Sequence, residues 1–465
     1  MVLAVAIAGQ ASAGEWEVIP SLEIVETYTD NVDLVSEQED KTEDLVSRIT
    51  PGLTVRGEGA RMTLDLTYSP SFLIFIESDE ETDLRHFLSG EANAELAEDF
   101  LFLDARASVN QQFLDRGGVI SSNQDNATDN RRTVQTYSVS PYVVHNFGTA
   151  ATSRLRYRAS YSDVSIPEGS NQFDDILRDT LDHDLSLRVD SGPRFGRLSW
   201  GAEAIYTKTD RASGRSDADS QTARLFAGYQ LNRMVRLVGS AGYENIDDAT
   251  LSRAPNNFIW DVGFTLTPGP RTTLTVRGGR RFGEETWSGN LEYRISDRTI
   301  LSGGYVEEIT STQRVLIGEL LTNPDGIVVD PGGFSLIDGS FRRNRAYASL
   351  RGQRGRTSFL FSGFWEEREP ELARPREENF GGSARITRQF SRYISGTLSG
   401  SYQNTKFDRS LNREDDFYSG TINLNYQVSQ SISGGLSYIF TYRDSTDAAR
   451  EIMENAVKIN VRATF

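Results

Sequence analysis

Two kinds of side chain here could do chemistry, and they are supplied very unequally. The histidines are His86, His145 and His183, and there is no cysteine. A thiol nucleophile, a thiolate metal site and a disulfide framework are therefore excluded. No two histidines are spaced as metal ligands, and none shares a local pattern with a serine that suggests a dyad. Asp182-His183-Asp184 is the one compact cluster; a lone histidine in a wall strand reads first as an interfacial residue. The glycines fall singly or in pairs in strands or turns, and none reads as a phosphate-cradling loop. These residues predict neither catalysis nor a cofactor nor a bound metal.

Arginine is the exception. Lysine is scarce (Lys41, Lys208, Lys406 and Lys458), so arginine supplies nearly all the positive charge. In Arg154-Leu155-Arg156-Tyr157-Arg158 three guanidinium groups fall on one face of an extended strand. Arg48, Arg56, Arg277, Arg281, Arg345 and Arg351 occupy the same polar parity in other strand patterns. Guanidinium forks hold carboxylate, sulfate or phosphate bidentately, and rings of them bias a pore toward anions. Two readings stay open. The arginines are either candidate contacts for an anionic solute, with Arg154, Arg156 and Arg158 foremost, or ties to wall acids such as Asp65, Asp104, Asp184 and Asp261.

The elements that position them have period two. Met62, Leu64, Leu66 and Tyr68 alternate with Arg61, Thr63, Asp65 and Thr67; Leu155, Tyr157, Ala159 and Tyr161 alternate with Arg154, Arg156, Arg158 and Ser160. The alternation recurs almost without break, and no amphipathic helix of useful length competes. Short turns, such as Gly57–Ala60 and Asn146–Thr149, alternate with longer polar stretches, such as 115–132 and 404–416. That rhythm predicts an all-β, antiparallel up-and-down transmembrane barrel of about 22 strands (range 18–22) with periplasmic turns and extracellular loops. Faint patterns at 16–29 and 285–296 set the lower bound. Hydrophobic content of 37% and a mean hydropathy of −0.45 fit, because lumen-facing positions can be polar.

The final strand alternates up to Phe465, which is expected to serve as a C-terminal assembly signal. Residues 1–13 read as the remnant of a signal peptide, with an apolar run and Ala11-Ser12-Ala13 before Gly14. Residues 14–465 are then one barrel, with no N-terminal plug expected. Of the net charge of −17, much sits in loop clusters, including Asp30–Asp44 and Glu77–Asp83. Wall side chains cannot fill a barrel roughly 40 Å wide. The stretch 311–343, apolar at Val315–Leu321 and Ile327–Val329, is the expected lid or constriction, or else an extracellular cap packed on itself.

The block Pro20–Val32, with its Glu26-Thr27-Tyr28-Thr29-Asp30-Asn31-Val32 core, followed by Pro51-Gly52 and Tyr68, resembles a family of outer-membrane β-barrel porins. These accompany exopolysaccharide and exosortase (PEP-CTERM) systems. The resemblance implies the Gram-negative outer membrane and a role near polysaccharide export, and carries over no catalytic residue. The partners expected are membrane lipid and lipopolysaccharide, the barrel assembly machinery, periplasmic export components and an anionic polysaccharide, with no nucleic acid. The alternatives are a general diffusion porin for small solutes and a structural or adhesive barrel.

Overall fold

The computed structural model describes residues 14–78, 81–114, 118–128, 130–165, 179–211, 217–251, 255–322, 339–370, 376–407 and 413–465, with side chains of the one α-helix described to Gly318. The proposed signal-peptide remnant, 1–13, lies outside them.

The chain is an antiparallel meander: β1(Glu15–Thr29), β2(Asp44–Glu58), β3(Met62–Phe75), β4(Asp83–Ala97), β5(Leu101–Phe113), β6(Arg131–Asn146), β7(Ala151–Val164), β8(Thr180–Ser191), β9(Leu198–Arg211), β10(Ala218–Gln230) and β11(Val235–Asp248). It continues through β12(Asn256–Gly269), β13(Thr272–Arg281), β14(Glu284–Ser296), β15(Thr299–Ser311), β16(Ser340–Arg354), β17(Thr357–Pro370), β18(Glu377–Gln389), β19(Ile394–Phe407), β20(Arg413–Gln427), β21(Ile432–Ser445) and β22(Ile452–Thr464). One helix, α1(Thr312–Thr322), interrupts it. All the strands belong to one sheet, and β1 pairs with β22, so the sheet closes on itself. The two faint patterns, at 16–29 and 285–296, are real strands, β1 and β14. Closure leaves no unpaired edge, which is how strands can cross hydrocarbon.

The two parities separate as expected. Leu155 and Tyr157 on β7, Val457, Ile459 and Val461 on β22, and Ile422 and Leu424 on β20 are exposed apolar side chains on the outer surface. Their neighbours point inward, where hydroxyl pairs link adjacent strands: Ser302–Ser349 at 2.8 Å and Ser362–Ser383 at 2.7 Å. Phe465 continues the outward set, and its amide donates to the Pro20 carbonyl at 2.9 Å.

One extracellular connection breaks the long-loop rule. Between β13 and β14, Phe282 and Gly283 both adopt positive φ (55° and 82°), making a two-residue turn. No loop is available there to fold inward.

Candidate functional site

The inner wall changes character along the barrel axis. On β1 the inward residues run from exposed Glu15 and Glu17, through half-buried Glu23, to buried Val25, Thr27 and Thr29. β21 and β22 repeat this gradient, with buried Ser437, Thr441 and Arg443 on β21 and buried Glu454 and Ala456 on β22. The periplasmic half of the lumen is therefore solvated, and much of the extracellular half is filled. On β13 and β14 no inward residue is buried among the described residues, up to the short Phe282–Gly283 turn. A solvated strip of wall thus runs the length of that sector.

The principal filler is the β5–β6 loop, described at residues 114, 118–128 and 130. Asp125, fully buried, accepts from Thr27 Oγ1 at 2.7 Å and sits 3.0 Å from Arg48 Nη1 and 2.7 Å from Lys458 Nζ. Burial alone would raise its carboxyl, but Lys458 and then Arg48 outweigh that and hold it well below the usual carboxylate range. Glu454 accepts from Asn123 Nδ2 at 2.7 Å, Asn126 Nδ2 at 2.8 Å and Thr29 Oγ1 at 2.9 Å. Arg131 on β6 donates to the carbonyls of Asn123 and Gln124 at 2.9 and 2.8 Å. The loop leaves β5 and docks on β22, β1 and β2, gathering three neighbouring strands onto one carboxylate.

The second filler is α1. Ser311 caps it, its hydroxyl accepting from the Arg314 amide at 3.3 Å. The helix leaves β15 and packs against β5, β6 and β7, where Leu316 joins Leu114, Val134 and Val164 in a buried cluster. Arg314 reaches Thr209 Oγ1 at 3.4 Å and Asp182 at 3.9 Å. The helix was not foreseen, and it falls at the start of the stretch expected to act as a lid. Residues 323–338 of that stretch lie outside the described residues.

The arginines picked out by parity do face inward, but most have carboxylate partners. Arg48 pairs with Asp125 at 3.0 Å, Arg56 with Asp65 at 3.3 Å and Arg277 with Asp261 at 3.2 Å. Arg281 pairs with Glu244 at 2.7 Å and Arg345 with Glu366 at 3.2 Å. The Arg154–Arg158 stripe is not free of acid either, because neighbouring strands supply it. Arg156 meets Asp104 at 3.1 Å and Arg158 lies 3.9 Å from Asp184. Arg154, whose guanidinium lies 5.6 Å from the Tyr142 ring, and Arg351 have no carboxylate partner among the described residues. The three-arginine stripe read as one contact surface is therefore two wall ties and one open group.

The histidines sit on the outer face or at a rim. His86 and His183 each meet a neighbouring-strand tyrosine, Tyr68 at 2.9 Å and Tyr157 at 2.7 Å. His145 packs edge-on against Phe147 near the periplasmic end. Among the described residues no group of three or more His, Asp or Glu is placed to hold a metal.

Comparison with known proteins agrees with this architecture. Residues 382–465 match the family described as "Putative beta-barrel porin 2". The match begins within β18 and runs through β22, and it bears out the porin resemblance read from the sequence. Among solved structures, the porin-like barrel aligns with the ferric-catecholate import receptor Fiu from E. coli K12 over 96% of this chain and 81% of that one, with TM-score 0.52 and 10% identity. The siderophore receptor PirA from Acinetobacter baumannii aligns over 97% of this chain and 80% of that one, with TM-score 0.51 and 9% identity. At such identity the likeness is one of fold. A search of curated proteins gives no match. The chain is a porin-like outer-membrane β-barrel.

Proposed function

We propose that this barrel is a non-catalytic conduit for an anionic solute, exopolysaccharide being the cargo class favoured by the Pro20–Tyr68 motif. The observation that supports this most is the solvated inner wall, open through the periplasmic half and continuous along β13 and β14. The β5–β6 loop and α1 would act as closures at the outer mouth. Arg154 and Arg351 are the transport contacts; the other seven candidates serve mainly to tie the wall. Lipopolysaccharide outside and export components inside are the partners this role requires.

Conductance in planar bilayers tests it. Wild type should give a small anion-selective current, and a variant lacking residues 118–128 a larger one. Absence of current from both, or a reversal potential favouring cations, rejects the conduit. The paired arginines favour a second reading, a structural or adhesive barrel, which predicts no current from either form. A general diffusion porin would conduct without discriminating anions from cations.

A further inference from the structure

Carboxylates pair most of the wall arginines, including Arg56, Arg188 and Arg294 near the periplasmic strand ends, but four others at that end lack such a partner. Within four residues of the periplasmic strand ends, Arg154 on β7, Arg351 on β16, Arg385 on β18 and Arg462 on β22 face inward and are exposed. None has a carboxylate partner among the described residues. The turns below repeat the pattern. Arg194 and Arg197 lie between β8 and β9, Arg233 between β10 and β11, Arg271 between β12 and β13, and Arg298 between β14 and β15. Arg354 and Arg356 flank the next turn, and Arg388 and Arg392 the one after, so six successive turns carry exposed arginine. At the other end the loops are acidic.

We propose that the periplasmic opening is a collecting mouth for an extended polyanion, which the inward arginines draw into the lumen. This rests on the conduit reading and adds where the cargo enters. Turn arginines alone would suit the phosphates of the inner-leaflet headgroups. Inward arginines would not, because lipid outside the barrel cannot reach its inner wall. A flat protein surface would meet the rim but not Arg385, which stands four residues up its strand. An anionic chain threaded into the opening can meet both sets. Guanidinium forks held apart by strand spacing suit repeated carboxylates or sulfates on one chain. A path of unpaired charge only at the entrance lets the chain be captured without being held along the whole pore.

The test is binding of fluorescent oligogalacturonate to the full-length protein in phosphatidylcholine nanodiscs, with neutral dextran of similar mass as the comparison. Wild type should bind the polyanion and not the dextran. The variant R154Q/R351Q/R385Q/R462Q should bind at least ~10-fold more weakly, and lysine at the same four positions should restore most of the affinity. The turn variant R233Q/R271Q/R298Q should lose less. Unchanged binding by the four-glutamine variant overturns the proposal. So does equal binding of dextran, failure of the lysine variant, or a loss confined to the turn variant, which would assign the arc to headgroup phosphates. A barrel that conducts anions with binding unaffected by the four substitutions overturns the mouth and keeps the conduit. A silent barrel whose binding still needs those arginines overturns the conduit and leaves a polymer-docking site.

Discussion

Asp125 carries two cations on one buried carboxylate, and its removal tests how firmly the loop is docked. Asp125→Asn leaves the half-buried Arg48 and Lys458 beside each other without their counter-charge, a loss of about 3 kcal/mol to the docked loop. The β5–β6 loop should then become cleavable by added protease, and the single-channel current should rise. Because the native carboxyl is held below its unfolded value, its contribution is complete above the ordinary carboxylate range and disappears as pH falls through the depressed value. Conductance should therefore stay flat from neutral pH to about pH 5 and rise only in stronger acid. The stripe gives a second contrast. Arg156→Gln breaks the 3.1 Å pair with Asp104 and should lower the melting temperature in detergent, by about 1–3 kcal/mol of stability. Arg154→Gln should leave melting unchanged and weaken anion selectivity. Parity alone placed these arginines on the inner face. It could not reveal their partners, because Asp104 and Asp184 reach them only through the register of β5 and β8 against their neighbours.

At the scale of elements, strands are legible in the sequence and closures only in part. Period-two alternation survives wherever one face meets hydrocarbon, so even β1 and β14 left a trace. Ser121-Ser122-Asn123-Gln124-Asp125-Asn126 has the composition of a solvated loop, yet Ser121, Asn123, Asp125 and Asn126 are buried. A polar lumen accepts polar side chains as readily as water does, so composition cannot distinguish the two. The apolar run after Ser311 did mark a segment that packs, and Leu316 supplies its anchor. Leu316→Asp should place a charge among Leu114, Val134 and Val164 and release α1. Increased hydrogen exchange over residues 312–318, with the strands still protected, would be the readout.

For the whole molecule, charge is uneven from end to end: exposed arginine at six successive periplasmic turns, paired arginine over most of the wall, and acidic clusters at the loops. Current through an oriented barrel should rectify, and high salt should abolish that asymmetry as screening shortens to a few ångströms. The proposed cargo class rests on a short motif and a resemblance; no periodic signal encodes it. The join between first and last strands adds a final constraint. β1 meets β22 only over Ser21–Thr29 against Ala456–Thr464, whereas it meets β2 along all of Glu15–Thr29. Asp125 ties Thr27 on one side of that join to Lys458 on the other, and Glu454 gathers Thr29 with Asn123 and Asn126. The inserted loop is thus a bolt shot across the zip of the cylinder. Withdrawing it to widen the bore also loosens the staves, so whatever opens this vessel must brace the seam it has just unlocked.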